Sequence, residues 1–555
     1  MGARDVGLAA LLGVVIVAGF CVVLLSWHAR VPPGEHLSGF FQGDMPTYVC
    51  YAREAAASPT TLLYANPWDI RAEPARRMLN LPISMLGWGL LAGLGPAAVA
   101  MSARAIFGVL MYAALAWLLA GLFRERRWFW AAFIVVGLGG GLAWVSAVPA
   151  LGGGWPAVHA HVNAAEAQYH WWFLSTYRNL LYPLECAYHA IVFAQLGALV
   201  RRRYGLATGL LALAAASNPF PFIQMLGVQV AALAFAWVAG RSSACEAREA
   251  FERRGLLAST VGTVAVAGAG ALFYRVWIPG DPVLAGVVAA HVHAYPAPLS
   301  LVSAAWGYGL AWLGPVGLLV DGGFRRALRE RGAAAVVVLA FGAWTLTLVS
   351  NSRNPLGLSF MPMHFSRGYA HMALWVITLW WLGSLARRFG PRRRAVAVGV
   401  PALAATLVLV ALPDSAVFTH EMYAVPPHAP SIRWSSEQQA VYAWLEHLPG
   451  PPRHVLATDW STGREVCALT RHRSAIGTDL ITPRYDERLA ELRQFSADPR
   501  HEPPLVRWAD VLLVPGHDLG WIARMRRAPG WRRAVCNGAL CAFERVDEDR
   551  ARPRE

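Results

Sequence analysis

The sequence predicts a polytopic α-helical membrane protein of about eleven transmembrane helices, with a C-terminal exoplasmic α/β domain. Three observations predict it. The 555 residues are 56% hydrophobic and only 15% charged, with a mean hydropathy of +0.38, too apolar for an ordinary soluble chain. The apolar residues fall in long blocks, and the composition changes sharply after residue 412. The boundaries that follow are a membrane domain over 1–412, with its first outer loop at 28–78, and a soluble exoplasmic domain over 413–555.

In chain order the apolar blocks lie at about 6–27, 100–123, 128–150, 183–200, 204–217, 219–240, 255–274, 297–320, 333–350, 368–386 and 395–412, each read as a span by the length rule. The first is longer than a signal-peptide core and has no convincing small-residue cleavage site, so it reads as a retained span. Residues 79–97 are apolar too. Pro82, Gly87, Gly89, Gly95 and Pro96 interrupt them, which suits an interfacial or re-entrant helix. Asn218-Pro-Phe-Pro221 reads as a tight turn. Twenty-four Trp suit a protein with many membrane interfaces.

Charge sets the expected topology. The compact Arg clusters at 124–127, 201–203, 241–254, 325–331 and 387–394 all face the cytoplasm if the N-terminus is cytoplasmic and 79–97 does not cross. The outer segments are then 28–78, 151–182, 275–296, 351–367 and 413–555. These are long, irregular and rich in His, Tyr, Trp, Asp and Glu, so function is expected on the outer face of a multi-pass inner (plasma) membrane protein. The net charge of +15 is thereby absorbed as a topology signal, and nucleic-acid binding is disfavoured.

In the C-terminal region, Ser435 and Ser436 can cap a helix through Val441–Leu445. Residues 453–458 and 509–514 read as strands, 487–495 as a helix, and 535–543 as a hairpin about Asn537-Gly538. There is no GxGxxG, P-loop or GxSxG pattern. The seven Cys show no CxxC pair, so no zinc cage or disulfide framework is expected. Cys536 and Cys541 could bridge only if exported and in register across the turn, and a bridge is not counted on.

The stretch with the clearest chemistry is Gly43-Asp44-Met45-Pro46, just beyond the first span. Asp44 can act as a general base or a metal ligand outside the membrane; it also suits the start of a helix at Pro46. Residues 159–172 hold His159, His161, His170 and Glu166. Their spacing matches no metal motif, since His159 and His161 share a face only if extended, and Glu166 and His170 only if helical. Should a divalent metal bind, Asp44, Glu166 and His170 are its expected ligands; no cofactor is certain. Arg178 and Glu185, seven apart, suit an ion pair on one helix face, with phosphate contact as the other role of Arg178. His291-Val-His293 reads as extended loop. Arg367 begins a span on the outer side, against the positive-inside bias. A guanidinium there suits a phosphate headgroup or snorkels to the interface. Arg353 and His364 would share its pocket.

The order of these features resembles the membrane-embedded GT-C glycosyltransferase superfamily. One span leads into a long outer loop carrying Gly43-Asp44-x-Pro46-x-Tyr48-x-x-x-Ala52, then Tyr64-Ala-Asn-Pro67, then a Pro82-containing helix, many spans and a terminal α/β domain. The resemblance implies an enzyme moving a sugar from a polyprenyl-linked donor to an envelope acceptor (glycan, lipid or protein) at the outer membrane surface. Asp44 would be the catalytic acid residue and Glu166 a second one. Arg367, Arg178, His364 and Arg353 would hold the donor phosphate, and a single attack would invert the anomeric centre. The sequence has no acid paired beside Asp44 and no WWD-type motif, which favours a monosaccharide transferase over an oligosaccharyltransferase. A lipid or glycan transporter and a non-catalytic envelope-assembly partner are the alternatives. A transporter would show repeats and mid-membrane charge, and the spans carry almost no charge.

Overall fold

In a computed structural model, the structure describes residues 2–41, 43–165, 175–239, 246–294, 300–350, 363–389, 394–424 and 432–546. Of the residues singled out above, Glu166, His170 and Arg353 lie outside them.

The chain is a mostly helical, multi-pass membrane protein. Among the described residues, nine helices are long and apolar enough to cross a membrane, or ten if one bent pair counts as a span. All eleven expected blocks contain helix, but three depart from a single straight helix, that at 297–320 being two short helices, Leu301–Tyr308 and Leu313–Val320, joined by a 3₁₀ turn. The block at 128–150 breaks at Gly139-Gly140-Gly141, and the helices on either side (Arg126–Leu138 and Ala143–Ala165) meet at 60°. The block at 204–217 is the twelve-residue helix Tyr204–Ala215, about 18 Å long against a hydrocarbon core of about 30 Å. The interrupted stretch at 79–97 forms the short helix Leu81–Leu91, capped by Asn80 Oδ1 accepting from Ile83 N, and a new helix starts at Pro96.

The chain divides into two compact units. The first comprises Met1–Leu24, Ala103–Leu272 and Tyr295–Val425. At its centre are the helices Pro183–Val200 and Tyr369–Phe389, buried on nearly every side, as expected for helices apolar all round. Buried amides and hydroxyls join neighbouring helices: Gln195 Nε2 donates to Gln229 Oε1 at 2.7 Å, Gln229 Nε2 to Thr263 Oγ1 at 2.7 Å, and Gln224 Nε2 to Thr345 Oγ1 at 2.6 Å. Such bonds are the usual adhesive between helices that gain nothing from burying apolar surface against lipid.

The second unit gathers Leu25–Ser102, Phe273–Ala294 and Pro426–Glu555. Its strands are β1 (Glu35–Leu37), β2 (Arg433–Ser435), β3 (His454–Ala457), β4 (Arg473–Ser474), β5 (Val511–Pro515), β6 (Trp531–Cys536) and β7 (Leu540–Arg545). β1 pairs antiparallel with β2. The others form one mixed sheet ordered β4-β3-β5-β7-β6, parallel at β4/β3/β5 and antiparallel at β5/β7/β6. One face carries Leu456, Leu512 and Phe543 against Leu492, Phe495 and Ile522; the other carries Val455, Leu513 and Ala542 against Val441, Leu445 and Val466. The period-two alternation of each strand thus feeds two cores. Ser435 and Gln438 form a reciprocal capping box on the helix Ser436–Glu446.

Cys536 and Cys541 are cross-strand partners and are disulfide-bonded. The sequence reading set this bridge aside. Asn537 Oδ1 accepts from the N–H groups of Ala539 and Leu540, and this wider turn brings the two Cys into register.

Candidate active site

The sequence near Asp44 folds as its residue types require. Pro46 sits in the first turn of the helix Met45–Ala56, and Asp44 occupies the N-cap position. The Asp44 side chain makes no capping hydrogen bond, and the residue is exposed. Its carboxylate is therefore not consumed in starting the helix. The buried face of that helix includes Met45, Val49, Cys50 and Ala52.

The same face meets the helix Trp460–Leu469. Arg464 Nη1 donates to the Gly43 carbonyl at 2.8 Å, the Cys50 thiol donates to the Arg464 carbonyl at 3.4 Å, and Arg53 Nε donates to the Ala468 carbonyl at 3.1 Å. Arg464 is 3% exposed and its guanidinium lies 4.2 Å from the Trp460 ring centroid. Burial pushes that guanidinium below its ordinary range, and Asp44 is the foremost of the negative groups opposing the shift. Glu54 pairs with Arg473 at 3.5 Å. Burial pushes the Glu54 carboxyl up, against the pull of Arg473 and Arg76.

The Tyr64–Pro67 segment is held equally firmly. Tyr64 and Met78 exchange backbone hydrogen bonds, and Asn66 Nδ2 donates to the Ile481 carbonyl at 2.9 Å. Arg488 Nη1 donates to the Trp68 carbonyl at 2.7 Å and also to that of Ala475. Beyond it, Arg71 bridges two carboxylates, Asp69 at 2.5 Å and Asp281 at 2.9 Å. Burial pushes Asp281 up, but Arg71 and the N–H groups of Leu284 and Val283 outweigh it and hold the carboxyl low.

In the first unit, Arg367 stands at the entrance to the helix Tyr369–Phe389. Its guanidinium forms an ion pair with Glu185, both side chains nearly buried. Its carbonyl accepts from Asn179 Nδ2 at 2.8 Å and lies 2.5 Å from His189 Nε2. The His189 ring stacks on Tyr369 at 4.0 Å. Gly368 follows with φ +87°, where a Cβ would lie 2.8 Å from Thr176 N, so this turn admits only glycine without strain. His364 stacks on Phe220 at 4.2 Å.

The expected Arg178–Glu185 pair is not formed. Glu185 pairs with Arg367, and Arg178 lies 3.6 Å from Asp414, both fully buried. The reason is local. Residues 177–181 are a 3₁₀ turn and Tyr182 is extended, so Arg178 and Glu185 never share one helix. Asp414 also accepts from the N–H groups of Gly141 at 2.7 Å, Ala143 at 3.3 Å and Trp144 at 2.7 Å. Charge inside the spans is also greater than expected, with Arg104, Glu185, Arg367 and Asp414 buried there. His159 and His161 lie on the helix Gly154–Ala165 and so do not share a face. The chain at 282–294 is helical, not extended. No group of three or more His, Cys, Asp or Glu among the described residues could hold a metal ion.

No family model matches the chain, and no curated protein matches it. Solved structures do. The Archaeoglobus fulgidus oligosaccharyltransferase, in complex with zinc and sulfate, matches at a TM-score of 0.52 and 12% identity, over 96% of this chain and 73% of that one. The chain has the GT-C fold. Weaker likenesses are to ArnT from Cupriavidus metallidurans in the apo state (TM-score 0.48, 13% identity, 96% and 97% covered) and to A. fulgidus AglB with an inhibitory peptide and a dolichol-phosphate (0.45, 12%, 98% and 75%). The GT-C fold is what the order of loops and spans implied. Arg464, the Asp69–Arg71–Asp281 bridge and Asp414 were not singled out in advance. Only the Asp-x-Arg spacing at 69–71 offered a signal for any of them.

Proposed function

We propose that the chain is an integral membrane glycosyltransferase that moves a sugar from a polyprenyl-linked donor to an envelope acceptor on the outer face of the membrane. The observation that carries this is the exposed Asp44 carboxylate, unspent as a helix cap, in the first loop of a GT-C fold. Asp44 accepts the proton of an acceptor hydroxyl as that oxygen attacks the anomeric carbon. The bond from that carbon to the carrier phosphate breaks, and the centre inverts. Arg367, which would have to share its guanidinium between Glu185 and the donor, is proposed with His364 and Arg353 to take the charge developing on the departing phosphate. Arg178 enters with its charge matched by Asp414 and fixes the 175–181 segment that holds the Arg367 carbonyl. Glu166 is the second acid.

The matched A. fulgidus enzyme was solved with zinc, which supports a divalent ion in this class. Here the ion would need Asp44, Glu166 and His170, and only Asp44 lies among the described residues, so no step is routed through a metal. The Arg clusters support a cytoplasmic N-terminus. The Cys536–Cys541 disulfide supports an oxidising, exoplasmic location for the C-terminal domain.

The test is transfer from a panel of radiolabelled undecaprenyl- and decaprenyl-phosphate sugars by the full chain in proteoliposomes. Asp44→Asn is expected to lower kcat by ~10²–10⁴ with expression and unfolding temperature kept. Undiminished transfer by Asp44→Asn would remove Asp44 from the mechanism, and no transfer by the wild-type chain from any donor of the panel would return the transporter reading.

A further inference from the structure

The C-terminal domain does more than flank Asp44. The helix Trp460–Leu469 is fixed at its start by Asp459, whose Oδ1 accepts from Thr462 N at 2.9 Å. It presents Arg464 and Ala468, one turn apart on one face, to the segment 43–53, where both their carbonyls accept side-chain hydrogen bonds. Between these fixed points the Arg464 guanidinium lies buried, with the Trp460 ring 4.2 Å away and the Gly43 carbonyl 2.8 Å away. Gly43 is the residue before Asp44. Asp44 stands at the N-cap of the helix Met45–Ala56, so the bond to the Gly43 carbonyl fixes the backbone from which its side chain projects.

We propose that Arg464 is a positioning residue for Asp44: it ties the Gly43–Asp44 turn to the C-terminal domain, so that this domain completes the active site. The proposal rests on the reading of Asp44 given above. A guanidinium suits the task because its planar fork can bond a carbonyl with one N–H while its face stacks on an indole. The ammonium of lysine can do the first but not hold the same plane. Loss of Arg464 leaves the fold of the α/β domain in place and frees one turn.

Two measurements on the full chain test this. Hydrogen exchange in detergent reads the turn without any substrate. Arg464→Gln is expected to speed exchange of the amides at 43–48 by at least about tenfold, while β5 and the unfolding temperature are unchanged. Transfer from the most active polyprenyl-phosphate sugar of the panel reads the consequence. In Arg464→Gln, kcat is expected to fall about 100-fold with the donor KM unchanged. Arg464→Lys should recover part of it, and added guanidinium ion should restore part of the activity of Arg464→Ala. Unchanged exchange at 43–48, or unchanged kcat in a folded Arg464→Gln, overturns the proposal. An inactive Asp44→Asn beside a fully active Arg464→Gln sinks this inference alone; an active Asp44→Asn sinks the reading of Asp44 and this inference with it.

Discussion

The Arg178 guanidinium lies 3.6 Å from the Asp414 carboxylate, and solvent reaches neither side chain. The acid also accepts three backbone N–H bonds from the break in the helix pair at 139–144. Asp414→Ala is therefore expected to cost about 3–5 kcal/mol, because it takes a carboxylate from beside a buried guanidinium and leaves three N–H groups orphaned. A fall in the denaturation midpoint of the protein in detergent checks it. The double replacement Arg178→Met, Asp414→Leu should be milder than Asp414→Ala alone.

Gly368 supplies a second stability test. With φ +87° and Thr176 N 2.8 Å from the place of a Cβ, Gly368→Ala should lose about 1–3 kcal/mol. It should also loosen the Arg367 carbonyl from Asn179 and His189. Thermal unfolding reads the first effect, and faster exchange of the amides at 367–372 the second.

Glu465 predicts a pH dependence. Burial pushes its carboxyl up to about 8, with Tyr442 donating to it at 2.5 Å and pulling the other way. The folded state therefore holds a proton that the unfolded chain releases near pH 4.5. Folded protein binds more protons between those values, so stability falls as pH rises from about 4.5 to about 8, on the order of a few kcal/mol in all. Glu465→Gln should flatten that slope. Unfolding temperatures from pH 5 to pH 9 for both proteins check it, and parallel curves would refute it.

The cysteines separate by environment. Cys536 and Cys541 are bonded, whereas Cys50 and Cys467 are free and buried. Burial and the neighbouring Cys467 push the Cys50 thiol well above its usual range, which disfavours the reactive thiolate. Native protein should thus leave Cys50 unlabelled by maleimide. Denatured, unreduced protein should be labelled at Cys50 and Cys467, and labelling of Cys536 and Cys541 should require a reductant. Peptide mass spectrometry decides.

How far the sequence was legible depended on the range of the interaction. Blocks of apolar residues announce helices because each helix satisfies its own backbone, and Ser435, Asn80 and Pro46 mark helix starts through contacts within one turn. Asp44 could be chosen for its place after the first span. Its neighbour Arg464 could not, since 420 positions separate them and nothing in Gly463-Arg464-Glu465 differs from an ordinary helix surface. Asp414 falls, by composition, within the soluble domain expected over 413–555. Its true partners lie in a glycine break, where backbone N–H groups need an acceptor that no periodicity reveals. Arg178 and Glu185 were matched on the assumption of one continuous helix, which Pro183 precludes by starting the helix at its own position.

The pairing of β1 with β2 sets residues 35–37 against 433–435, nearly four hundred positions later in synthesis. A ribosome making some 5–20 residues per second would leave the first loop waiting roughly twenty seconds or more for its partner strand. Until then the edge of β1 and the face of the helix Met45–Ala56 that meets Trp460–Leu469 lack their partners, which makes this interval the natural window for chaperone engagement and for proteolytic loss of truncated chains.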